Sequence, residues 1–173
     1  MGAATARWPA GEPVNTAVMF GKATDEWSTP RDFFDVLDAE FSFDVDVAAD
    51  SVNRKCGFYW TGFDDALSFS WVEWADGLGL AFPPTCWMNP PYSQCRQFIA
   101  KAAEEAANGC TVVCLVPSRT DTKWWHSDVW DADKHQPRPG VEIRFIKGRL
   151  KFGEGKNSAP FPSVLVIFRP VPA

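Results

Sequence analysis

Residues 85–117 read TCWMNPPYSQCRQFIAKAAEEAANGCTVVCLVP. A short apolar run, TCWM, enters Asn89-Pro90-Pro91-Tyr92. Apolar residues then fall at Cys95, Phe98, Ile99, Ala102 and Ala106, the spacing of one helical face, with Ser93 as its cap and Gly109 as its stop. TVVCLVP (111–117) comes next as a continuous apolar run between breakers, the pattern of a strand buried on both faces of a parallel sheet.

Upstream, Ser28-Thr29-Pro30 before RDFFDVLDAEF predicts a helix with Thr29 as N-cap and Pro30 at the first helical position; Phe33, Phe34, Leu37 and Phe41 share a face. FSFDVDVAAD (41–50) then alternates Phe43, Val45 and Val47 with Asp44 and Asp46, as a strand does, and ends in small residues, as a ligand-binding strand does. Residues 50–82 carry weaker signals: CGFYW reads as a second strand, DDALSFSWVEW fits no single period, and GLGLAFPP reads as loop. Downstream, TDTKWWHSDVW reads as a further helix, residues 142–152 alternate until Gly148 breaks them, and SVLVIFRP closes the chain as another buried strand. Strands alternating with helices define an α/β sheet, parallel at first and antiparallel at the end.

The length of 173 residues suits one domain, assigned to residues 25–173, with residues 1–24 as a Gly-, Ala-, Pro- and Thr-rich flexible lead-in. A hydrophobic content of 46%, with nine tryptophans, supports a packed core and argues against disorder. No stretch approaches the roughly 20 apolar residues of a membrane span, and the opening MGAATARWPAGEP has no apolar signal region. The expectation is neither export nor a membrane. The five cysteines form no CxxC pair, and neither histidine is placed to complete a zinc site, so buried, reduced thiols and no metal are expected.

Net charge is −5 but unevenly placed. Residues 1–133 hold 9 Lys and Arg against 20 Asp and Glu, a balance of −11, whereas residues 134–156 hold 7 against 2, a balance of +5. A basic run in an acidic chain suits a surface that meets phosphates, although such runs are more often solvated faces. Lys147, Arg149, Lys151 and Lys156 are assigned to phosphate, with Arg119 after TVVCLVPS as a further phosphate or groove contact. Trp124 and Trp125 either wedge into a duplex or pack in the core.

Asn89-Pro90-Pro91-Tyr92 carries the chemistry. Ligands of open α/β sheets bind beyond the carboxyl ends of strands, and two prolines there fix the backbone. One amide, one carbonyl and one aromatic face suit a planar ring bearing an exocyclic amine, because amide oxygen and carbonyl both accept from NH2.

With WSTP (27–30), FDVDVAAD and the following Asn53, the Asp64-Asp65 pair before Leu67, NPPY, LVPSRTDTKWWH and GRLKF in this order, the chain resembles the amino-group methyltransferases that use S-adenosylmethionine. Its closest resemblance is to short, phage-type adenine-specific DNA methyltransferases, over residues 25 to about 169. The resemblance implies a Rossmann-like sheet with helices on both faces. It also implies methyl transfer to N6 of adenine in double-stranded DNA, in the cytoplasm of a bacterial host. Asn89 and the Pro90 carbonyl would hold the amine and stabilise its developing charge, Pro91 would stiffen the turn, and Tyr92 would stack on a base flipped from the duplex. Thr29 and Pro30 would lie near the methionine carboxylate, and Asp46 and Ala48 near the rest of the cofactor; a helix cap explains Thr29 equally well. Asp64 or Asp65 would bind the ribose hydroxyls or the adenine amine, or sit in a solvated loop. Ala48-Ala49-Asp50 stands where such enzymes usually place glycines. Two rival readings keep the motif: methylation of an RNA amine or a protein amide, and a binding module without catalysis.

Overall fold

The structure, a computed structural model, describes residues 28–80, 83–151 and 159–171. The lead-in expected over residues 1–24 and the basic Lys156 lie outside these residues.

Six strands form the main sheet: β1 (Val45–Asp46), β2 (Phe58–Tyr59), β3 (Thr85–Met88), β4 (Thr111–Pro117), β7 (Val141–Phe145) and β8 (Ser163–Phe168), in the order β2-β1-β3-β4-β8-β7. The pairs among β2, β1, β3 and β4 are parallel, and β8 runs antiparallel to both β4 and β7. The mostly parallel sheet with an antiparallel C-terminal pair is the architecture expected from sequence. The apolar runs account for its centre: every residue of β8, and every residue of β4 after Thr111, is buried.

Alternate side chains of β4 leave the sheet on opposite faces. Val113 and Leu115 join Trp87, Leu165 and Ile167 under Phe34 and Leu37 of helix α1 (Arg31–Phe41). Val112, Cys114 and Val116 join Cys86, Met88 and Val166 under Phe98, Ile99 and Ala102 of helix α3 (Cys95–Ala107), with Trp71 of helix α2 (Trp71–Gly77) on the same side. Helices therefore cover both faces. Of the five cysteines, all free, Cys56 is partly exposed and the other four are buried, and burial raises the thiol pKa of Cys86 and Cys114 well above the usual range. Among the described residues no helix is long and apolar enough to cross a membrane.

Several local expectations need correction. Thr29 does not cap α1: Pro30 occupies the cap position, with no side-chain bond to the first turn, because the threonine hydroxyl is engaged by a residue of another element. Ser93 is not the cap of α3. Pro91, at φ −52°, opens a 3₁₀ turn over Tyr92–Gln94, closed by the Gln94 N–H on the Pro91 carbonyl at 2.9 Å, and Gln94 becomes the cap residue. Gly109 does end the helix, at φ +116°, a conformation that favours glycine. The helix expected over 120–130 reduces to a π-type turn (Trp125–Val129) leading into a two-strand hairpin of β5 (Trp130–Asp131) and β6 (Gln136–Pro137). The wider turn accommodates Trp124, Trp125 and Val129 all in one core. The two tryptophans are thus core residues rather than wedges.

Candidate active site

From β1 the chain moves outward to β2, then crosses back to β3 on the other side of β1. Strand order reverses at that point, and in open α/β sheets the crevice beyond such a reversal is where ligands bind. A cavity of about 620 Å³ opens there. It brings together Thr29, Asp46, Ala48, Asp65, Asn89, Pro90 and Pro91 of the sequence-chosen residues; Pro30, Asp64 and Tyr92 lie outside its lining.

Asp46 is the buried charge of this cavity, at 3% exposure. It ends β1, which runs between β2 and β3, and lies in the cavity wall. Burial pushes the Asp46 carboxyl up to about 6, opposed by the backbone N–H groups of Lys55 (3.0 Å) and Ala48 (3.3 Å), which it accepts. Asp44 has a structural task, accepting the Thr85 N–H at 2.8 Å and so joining the start of β3 to the chain before β1.

The turn after β1 manages without glycine. Asp50 Oδ1 accepts the N–H groups of Val52 (2.6 Å) and Asn53 (2.8 Å), and Asn53 Oδ1 accepts the Asp50 N–H at 2.8 Å. None of residues 46–54 takes a positive φ, so Ala48 and Ala49 fit without strain. Side-chain bonds replace the glycine turn, and they leave Asp50, Ser51 and Asn53 on the cavity wall.

The two aspartates of the Asp64-Asp65 pair are placed differently. Asp64 folds back on its own loop, accepting the backbone N–H of Thr61 at 2.7 Å and its hydroxyl at 2.8 Å, which holds the carboxyl below the usual range. Asp65 lines the cavity, at φ +48°, a left-handed conformation uncommon outside glycine. Beside it stands Phe63, fully exposed at the cavity rim.

Asn89 comes directly after the last residue of β3, and its Nδ2 donates to Thr29 Oγ1 at 3.1 Å. Thr29 is buried, at 3% exposure. The first helix and the third strand thus meet through these two side chains. Tyr92 sits outside the cavity and packs edge-on against Phe161, ring centroids 4.8 Å apart, while the Arg119 guanidinium lies 5.9 Å from the Phe161 centroid. This aromatic and cationic group borders the Asn-Pro-Pro turn on the side of β4 and β8.

The fold splits the basic segment expected over 134–156. β7 runs in the direction of β3 and β4, so Lys147, Arg149 and Lys151, which come after it, emerge at the sheet edge that carries Asn89. Lys134 and Arg138 precede β7 at the opposite edge, where Lys134 lies 3.6 Å from Asp131 and Arg138 donates to the His126 carbonyl at 2.7 Å. Arg144 is also committed, held by Glu40 through two 2.7 Å bonds and by Glu142. Lys147, Arg149, Lys151 and Arg119 are exposed, and Arg149 anchors its loop on the Ala159 carbonyl at 3.0 Å.

Sequence reasoning missed Trp60, Phe63 and Lys55 on the cavity wall, and Phe161 against Tyr92. CGFYW ending the second strand was the available signal for Trp60, since residues just beyond a parallel strand face the crevice. Phe161 carried none. Among the described residues no group of three His, Cys, Asp or Glu could hold a metal ion.

The family model described as DNA N-6-adenine-methyltransferase (Dam) matches residues 17–173. The DNA N-6-adenine-methyltransferase of Haemophilus phage HP1 is 30% identical over 149 residues, 84% of this chain and 79% of that protein. The protein of the same description from Escherichia phage T1 is 28% identical over 142 residues, 77% of this chain; the match spans only 56% of the T1 protein. With the Asn-Pro-Pro-Tyr turn at the strand-order reversal and a family match over most of its length, the chain belongs to the DNA N-6-adenine-methyltransferase family.

Proposed function

We propose that the chain methylates the N6 amine of adenine in double-stranded DNA, using S-adenosylmethionine, with the target base flipped out of the helix. The observation that carries this reading is the placement of Asn89-Pro90-Pro91 on the wall of the 620 Å³ cavity that also holds Asp46 and Asp65.

The residues of that cavity fit the donor. Asp46, buried and acidic, favours a cation beside it; Trp60, Phe63 and Leu67 offer apolar and aromatic surface; Asp65 and Asp50 offer acceptors for hydroxyls or an amine. S-adenosylmethionine supplies a sulfonium-bound methyl group, whose C–S bond breaks as the C–N bond forms, the amine's proton passing to solvent. Asn89 and the Pro90 carbonyl accept from the exocyclic NH2, which draws the lone pair out of the ring and stabilises the charge growing on nitrogen. Pro90 and Pro91 hold that turn rigid. No strongly basic side chain is needed, in keeping with a chain of two histidines.

An adenine inside a duplex cannot reach this turn, so the base must leave the stack. Tyr92, backed by Phe161, provides its stacking wall. Lys147, Arg149, Lys151 and Arg119 take the phosphates at the same sheet edge, and Lys156, outside the described residues, extends that set by sequence. The test is transfer of labelled methyl from S-adenosylmethionine to unmethylated bacterial duplex DNA, digested to nucleosides. Label in N6-methyl-2′-deoxyadenosine is expected. Label in no DNA nucleoside overturns the reading and turns attention to RNA or protein acceptors.

A further inference from the structure

The amide at the centre of this chemistry needs more than a rigid backbone. The two prolines fix the main chain after Asn89 but leave its χ1 and χ2 free, and catalytic acceptors must be held within roughly 0.5 Å of the productive position. Thr29 supplies one such constraint. Its hydroxyl accepts the Asn89 Nδ2–H at 3.1 Å, and Thr29 itself is buried directly before Pro30, the cap residue of α1. That helix is tied to the strand bearing Asn89: Phe34 meets Trp87 edge to face, centroids 5.4 Å apart, two residues before Asn89. Both partners of the bond are therefore anchored to one packed unit, on one face of the sheet.

We propose that Thr29 is a positioning residue for methyl transfer, taking the donor end of the Asn89 amide so that the acceptor end meets the target amine. The inference rests on the amine-methylation reading of the cavity and deepens it. It gives Thr29 a task that a contact with the donor's carboxylate alone would not.

Thr29→Val removes the hydroxyl at nearly constant volume, and Thr29→Ser keeps it. Single-turnover methylation is measured at saturating S-adenosylmethionine and DNA, alongside calorimetric binding of S-adenosylmethionine. Thr29→Val is expected to slow the saturated rate by roughly 10- to 100-fold, with the cofactor Kd changed far less, and Thr29→Ser to restore most of the rate. A saturated rate that stays at the wild-type value, or one that recovers fully once a weakened cofactor site is filled, overturns the proposal. Thr29→Ala replaces the valine variant if that one does not fold. The side-chain amide resonances of Asn89, assigned in the full chain without substrate, separate this inference from the functional reading. Loss of a distinct, exchange-protected Asn89 NH2 signal in Thr29→Val supports positioning even if the wild type methylates no DNA, and an unchanged signal overturns it.

Discussion

The two halves of the main sheet are built to different ends. On one side β1 and β2 have two residues each and β3 has four; on the other, β4 has seven and β8 has six, nearly all buried. The short strands stop early, and polar segments extend beyond their ends: Asp46 with its turn, Thr61 to Asp65, Asn89 with its prolines. The long strands exchange ladder bonds and apolar surface over their full length. Stability is concentrated in β4 and β8, and the candidate chemistry stands on the half that contributes least to it.

The division can be broken from either side. Asn89→Ala should remove nearly all methyl transfer, roughly 10²–10³-fold by analogy with losing one charge-stabilising group, with the thermal midpoint and cofactor affinity close to wild type; a loss of cofactor binding instead would give Asn89 a different task. Ile167→Ala, fully buried near the end of β8, should do the converse. It should cost about 3 kcal/mol in denaturant unfolding while the rate of the remaining folded protein holds.

Asp46 stands on the half that carries the candidate chemistry, and its ionisation sharpens the contrast. Its folded pKa of about 6 lies above the ordinary carboxyl value of 3.8, so its contribution to stability is full below about pH 4 and is lost as pH rises through 6. Relative to Asp46→Asn, the wild type should lose at most about 3 kcal/mol between pH 4 and pH 7, read from denaturation midpoints across that range. The proposed cationic donor favours the charged form, so its affinity should strengthen as pH rises through about 6 in the wild type and stay flat in Asp46→Asn. The smallest effect falls on the DNA edge: Lys147→Ala with Arg149→Ala should lower the slope of log affinity against log salt by about 2, equally for all duplex sequences. An unchanged slope would remove this edge from the phosphate contacts.

The stable half is far more legible in the sequence than the site is. TVVCLVP and SVLVIF are continuous apolar runs, and helix α3 keeps its period, so burial alone dictates them. Residues 50–82 resist such reading because the loops within 50–65 are held by local side-chain bonds, Asp50 with Asn53 and Asp64 with Thr61, which have no periodicity. Thr29 reads as a cap because a threonine before a proline and a helix looks the same whether its hydroxyl turns to the helix or to Asn89. The basic run is visible, but a count along the chain does not say that Arg138 and Lys147 leave from opposite edges of one sheet.

The position of β8 also imposes an order of events on folding. It lies between β4 and β7, bonding to both, although it comes last of the six in the chain. Until residues 163–168 are made, β7 has no neighbour in the sheet, and neither Phe161 nor the loop from Lys147 to Lys151 has a frame to stand on. Synthesis proceeds from the N-terminus, and long-range pairings form slowly. The cavity beside β1 and β3 can therefore take shape while the chain is still growing, but the wall proposed to receive the target base waits for its final strand.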